Sequence, residues 1–154
     1  MEIRLATIDD ASEVMRLASE LGYPTTLDEM RERLVRLIAD PAHHVIVATG
    51  DGYTLMGWAH VEDRFTLEGG ARSELNGLVI GMNSRRQGIG LSLLNAAESW
   101  AATRGRSKLV VRSNVVRALS HPFYESCGYV REKTQHVYGK LLPPAGQQPM
   151  ERKP

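Results

Sequence analysis

One segment limits what this chain can fold into: Leu75 to Leu94, LNGLVIGMNSRRQGIGLSLL. A β-prone run, Leu75 to Ile80, meets a short polar turn and then a glycine pair, Gly88 and Gly90, that opens an amphipathic helix. The first turn of a helix leaves backbone N–H groups unpaired and carries a partial positive charge, so such a junction suits a phosphate. Glycine at 88 and 90 removes the side chains that would hold a phosphate off those groups. Arg85 and Arg86 add charge of the kind that pairs with phosphate bidentately.

Three phosphate-binding patterns compete for the segment. A nucleotide-hydrolase loop requires Lys-Ser/Thr after its last glycine, where this chain has Leu91-Ser92. A dinucleotide fingerprint requires a third glycine or alanine, and position 93 is Leu. That fingerprint also belongs at the opening of a domain, whereas this loop lies mid-chain. The pattern Arg/Gln-x-x-Gly-x-Gly/Ala between a strand and a helix is met at every position by Arg85-Arg86-Gln87-Gly88-Ile89-Gly90.

The 154 residues suit one domain, and 42% hydrophobic with 24% charged residues predicts a packed core. No run reaches the roughly 18 consecutive apolar residues of a membrane-spanning helix, so no membrane partner is expected. Met1 to Asp10 lacks the basic-then-apolar pattern of an export signal. Cys127 is the single cysteine, which excludes an internal disulfide and predicts a cytoplasmic location. A net charge of +1 gives no reason to expect nucleic acid. Its distribution is uneven: residues 1–82 hold 14 acidic against 7 basic side chains, and residues 83–117 hold 7 basic against Glu98 alone. Either the middle of the chain meets an anion, or these are solvated faces.

Residues 3–5 predict an opening strand. Asp10 with Glu13 forms a capping box for a helix carrying Val14, Ala18 and Leu21 on one face, and Thr26 with Glu29 forms another for a helix ended by Asp40–Pro41. Strands are expected at His44–Ala48, Tyr53–Glu62, about Arg72–Ile80 and Lys108–Arg112, with a helix over about Gly88–Arg104. A short helix ends at Gly128, and Tyr129–Val130 with Thr134–Leu142 predict a closing hairpin. Residues 143–154 read as a polar, proline-rich tail after a domain over 1–142. The fold class expected is α/β of the α+β type: one mixed, mainly antiparallel twisted sheet with helices on both faces.

With its strand, arginine-glycine loop and helix in this order, the chain resembles the GNAT superfamily of acetyl-coenzyme A-dependent N-acetyltransferases over about residues 2–142. The resemblance implies a splayed central strand pair, with acetyl-CoA as cosubstrate and no metal. Leu78, Val79 and Ile80 would offer main-chain groups to the pantetheine arm and to the thioester oxygen. Arg85, Arg86, Gln87, Gly88, Ile89, Gly90, Leu91 and Ser92 would cradle the pyrophosphate. A second match lies downstream, in Asn114, Phe123-Tyr124-Glu125 and Gly128-Tyr129. It implies that Asn114 contacts the pantetheine region and that Tyr124 gives a proton to the departing thiolate. Pro122 either interrupts that helix or begins it. Glu74, eleven residues before Arg85, matches the glutamate that serves as general base in some branches.

Cys127 lacks the His–Asp/Asn companions of an acyl-carrying nucleophile, and His43, His44, His60, His121 and His136 lack metal-ligand spacing. Tyr23 and Asp28 are candidates for lining the acceptor site. Lys133-Thr134-Gln135, Tyr138 and Lys140 resemble small-molecule and aminoglycoside-acetylating relatives. The expected activity is acetyl transfer to a primary amine of a small molecule such as an amino sugar, a polyamine or an amino-acid-like compound. Peptide or protein acetylation and a non-catalytic coenzyme A sensor are the alternatives, and the resemblance implies a homodimer.

Overall fold

Alternation along two neighbouring strands sorts this chain into layers. The run His43–Thr49 (β2) pairs with the longer Leu55–Thr66 (β3), each flanked by a further strand: Glu2–Leu5 (β1) beside β2, and Gly70–Ile80 (β4) beside β3. Leu109–Val111 (β5) closes the order β1-β2-β3-β4-β5, parallel to β4, while the other neighbours run antiparallel. The computed structural model describes residues 1–113 and 120–146. The chain divides into two compact units, Met1–Asn114 and Val115–Pro154.

In the first unit, Val45 and Val47 point to one face and pack with Val14, Leu17 and Ala18 of Ala11–Glu20 (α1) and with Met30 and Leu34 of Leu27–Ala39 (α2). Their neighbour His44 points the other way, where its ring stacks on Trp100 of Ile89–Thr103 (α3) at 5.1 Å. Helices therefore cover both faces, and α3 buries Ile89, Leu93, Leu94, Ala97 and Ala101. No helix among the described residues is long and apolar enough to cross a membrane.

Local chemistry explains the boundaries. Thr26 caps α2 by accepting from the Glu29 N–H at 3.2 Å, as the capping box predicts. The box proposed for α1 is displaced one turn earlier: a 3-10 turn, Ile8–Asp10, precedes the helix, and Asp10 accepts from the Thr7 N–H at 2.8 Å. Glu13 instead pairs with Arg16 and accepts from the Leu55 N–H, tying α1 to the start of β3. β3 continues past its expected end at Glu62, because Arg64, Phe65 and Thr66 find partners in Arg72, Ala71 and Gly70. A strand there is held by pairing and not by an apolar stripe.

In the second unit, Ser120–Ser126 forms a short helix, α4. The expected closing hairpin is absent among the described residues. Val137, Tyr138 and Leu141 are each more than nine-tenths exposed, and no strand forms from Tyr129 to Leu142. Alternation marks a segment able to pair, but only a partner makes it a strand.

Candidate active site

The register of β4 creates the opening. β4 pairs with β5 at Ser73↔Leu109, Glu74↔Val110 and Leu75↔Val111, and there the ladder stops. β4 itself continues to Ile80, paired on its other side with β3 through Leu78↔Ala59, Val79↔Trp58 and Ile80↔Gly57. Among the described residues, no strand pairs with residues 76–80 on that edge. The β3–β4 register also shifts between His60 and Val61, which leaves Asn76 as an extra residue just past the last β4–β5 pair.

Beyond Ile80 the chain makes a 3-10 turn, Met82–Ser84, and enters α3 through two left-handed residues. Gly88 caps α3 at φ 77°, and Arg86 stands at φ 62°. A non-glycine residue there is disfavoured by roughly 1–2 kcal/mol. Such turns aim successive N–H groups into a common concavity that suits an anion. The first turn of α3 holds no acidic residue. Arg85 and Arg86 are exposed. These features fit the diphosphate of a coenzyme A thioester: donors, positive charge, and an extended edge for the arm that follows.

Three other basic residues of the middle segment are engaged with carboxylates of the sheet. Asp63 on β3 is bracketed by Arg106 at 2.8 Å and Arg104 at 3.0 Å, and the two guanidiniums hold its carboxyl well below the usual range, at about 2. Arg112 turns to Glu74 at 3.2 Å. Arg104, Arg106 and Arg112 are thus taken up by Asp63 and Glu74, while Arg85 and Arg86 stand exposed at the loop.

Glu74 occupies different surroundings from those of a base open to solvent. It is 2% exposed, with Arg72 at 2.9 Å, Arg64 at 3.0 Å and Arg112 at 3.2 Å from its carboxylate oxygens. Burial alone would raise its pKa, but the Arg64 and Arg112 guanidiniums outweigh burial and lower it. A carboxylate so engaged is a poor acceptor for the proton of an amine. Its surroundings favour fastening three strands over the base role expected of it.

In the second unit, Pro122 lies in the first turn of α4. Its missing N–H is one that a helix start leaves unpaired, so it begins the helix without breaking it. Tyr124 is half-buried, edge-on to Phe123 at 5.2 Å and to Tyr129 at 5.9 Å. Asn114 lies outside the described residues. Tyr23 and Asp28 are both exposed, in the connection from α1 to α2 and at the start of α2. Among the described residues, no group of three or more His, Cys, Asp and Glu side chains could hold a metal. A groove lined by Glu2, Arg4, Asp9, Glu13 and Tyr53 lies beside β1, three strands from the parting of β4 and β5.

Sequence reasoning missed one constellation. His43 on β2 and His60 on β3 approach to 2.9 Å between Nδ1 and Nε2. Seventeen residues separate them, and only the β2–β3 register joins them. No spacing rule along the chain would have found the pair.

Residues 11–129 match the Acetyltransferase (GNAT) family. An aminoglycoside N(6')-acetyltransferase type 1 from Stenotrophomonas maltophilia is 31% identical over 146 residues, covering 92% of both chains. Another of the same description, from Klebsiella aerogenes, is 31% identical over 147 residues, covering 91% of this chain and 96% of its own. Among solved structures, an aminoglycoside 6'-N-acetyltransferase from Acinetobacter haemolyticus superposes with a TM-score of 0.81 at 18% identity, covering 93% of this chain and all of the other. An aminoglycoside N-acetyltransferase solved with CoA gives 0.82 at 17% identity, covering 90% and 93%.

Proposed function

The chain belongs to the GNAT family of acetyltransferases, and from that membership we propose that it carries acetyl from acetyl-CoA to a primary amine on an amino sugar of the aminoglycoside class. The observation that carries the acceptor is the 31% identity, over 92% of the chain, to an aminoglycoside N(6')-acetyltransferase. The forked sheet and the arginine-glycine loop support the donor.

When bound, acetyl-CoA supplies an acyl carbon activated as a thioester. The loop 85–92 would hold the diphosphate through main-chain N–H groups, with Arg85 and Arg86 at the rim. The open edge of β4 would align the pantetheine amides, and N–H groups of Leu78 to Ile80 would steady the oxygen that gains charge as the amine attacks. The motif Phe123-Tyr124-Glu125 supports Tyr124 as the proton donor to the departing thiolate.

Thiol release from acetyl-CoA tests the proposal. Aminoglycosides bearing a 6'-amine should release thiol and gain one acetyl by mass. Analogues with a 6'-hydroxyl should not. Release with peptides or polyamines and none with aminoglycosides would reassign the acceptor, and coenzyme binding without release on any amine would make the chain a sensor.

A further inference from the structure

Arg86, at φ 62°, puts strain into the loop of residues 85–92, and strain of that kind persists only where the surroundings fix the backbone. The start of α3 fixes one end of the loop. The other end begins where the chain leaves β4 at Gly81, and there the last turn of α1 meets it. Glu20 Oε2 accepts from the Met82 N–H at 3.0 Å, across 62 residues of chain. Its second oxygen, Oε1, accepts from Arg16 Nη1 at 2.9 Å.

Arg16 is itself anchored. Its Nε and Nη2 donate to Glu13 at 2.7 and 3.2 Å, and Nη2 also donates to the Leu55 carbonyl at 3.2 Å. Glu13 accepts in turn from the Leu55 N–H at 3.0 Å, so both main-chain groups of Leu55 are bound to α1. The carbonyl of the next residue, Met56, accepts from the Gly81 N–H at 2.9 Å. Two consecutive donors at the exit of β4, Gly81 and Met82, therefore end on groups that α1 holds. Glu13, Arg16 and Glu20 stand three and four residues apart, along one face of the helix.

The approach is close as well as polar. A Cβ at Gly81 would fall 3.0 Å from Leu17 Cδ2 and 3.9 Å from Glu20 Oε2. Leu17 is fully buried, so glycine at 81 lets the turn lie against α1. The Ser84 N–H then donates to the Gly81 carbonyl at 2.9 Å and closes the 3-10 turn that Arg85 follows. Glu20 carries the wrong charge to touch a diphosphate, and both its oxygens are engaged, so it acts through the main chain.

We propose that Glu20 is a positioning residue for the donor. By holding the Met82 N–H it sets the direction in which the chain leaves β4, and so the aim of the N–H groups that take the diphosphate. Order established before the ligand arrives lowers the cost of binding. The role rests on the coenzyme reading above and concerns the diphosphate alone. A thioester without a diphosphate should not sense Glu20.

Three variants of the full-length protein test it. Glu20→Met removes the acceptor and keeps a helix-forming side chain. Met82→Pro removes the donor instead, at the first residue of a helical turn, where proline is tolerated. Glu20→Gln keeps an oxygen for the Met82 N–H and serves as the rescue. By titration calorimetry the first two should raise the acetyl-CoA Kd about 10-fold, and Glu20→Gln should stay within about twofold of the parent. With an aminoglycoside acceptor, kcat at saturating acetyl-CoA should hold while kcat/KM for acetyl-CoA falls. The kcat/KM for S-acetylpantetheine, which lacks the diphosphate, should not change. Equal losses with both donors would mean general damage and overturn the role, as would folded Glu20→Met and Met82→Pro proteins with the parent Kd. A parent that binds acetyl-CoA but acetylates no aminoglycoside refutes the acceptor reading, and the Kd series then decides the role. A parent that binds no acetyl-CoA refutes the coenzyme reading, and the role falls with it.

Discussion

Glu74 shows how far a single residue's role depends on what register puts opposite it. Its cross-strand partner is Glu62, a second carboxylate. Like charges in that position repel, and Arg64 answers both, at 3.2 Å from Glu62 and 3.0 Å from Glu74. Position along the chain correctly drew attention to Glu74, but its arginines come from β3, β4 and the residue after β5, which no local window contains. Glu74→Gln should leave Arg72 and Arg112 without their counter-charge and destabilise the fold by about 3 kcal/mol, read as a lower urea midpoint. Unchanged stability with a rate loss of 10²-fold or more would restore the base role.

At the scale of elements, the loop was the most legible part, because its information is local: glycine spacing, arginines and the start of a helix lie within ten residues. What the sequence could not announce is that Arg86, and not only Gly88, takes a left-handed backbone. Arg86→Gly should therefore stabilise the fold by up to about 1 kcal/mol by removing strain, while acetyl-CoA binding weakens only by the loss of one rim charge. Gly88→Val should do the opposite: strain at φ 77°, a branched side chain over the N–H groups, and loss of acetyl-CoA binding by titration calorimetry in a protein with parent-like circular dichroism. Retained binding in that folded variant would count against the main-chain cradle. The closing hairpin was misjudged for the converse reason. Tyr129–Val130 and Thr134–Leu142 read as strands, and a strand's existence is settled by a neighbour distant in the chain.

For the molecule as a whole, acid should act in two stages. His60 is held at about 4 against an ordinary 6.5 by burial and His43. As pH falls from 6.5 to 4, the unfolded chain binds a proton that the fold refuses, and stability declines. Asp63 works over a lower window: its stabilisation by Arg106 and Arg104 is complete above 3.8 and is lost as pH approaches 2. Asp10 and Glu13, lowered by Arg4 and Arg16, add to the second stage. Urea midpoints at pH 7, 5 and 3 should step down, and His60→Gln should flatten the first step while leaving the second. The overall layering was legible from alternation and capping, since Val45, Val47 and the faces of α1 to α3 follow period two and period 3.6. Charge partners were not, because they are properties of the assembled sheet.

The salt-bridge knot at Glu74 sits one row behind the place where β4 and β5 separate. It acts like the stop at the foot of a zip: the seam opens to that row and no further.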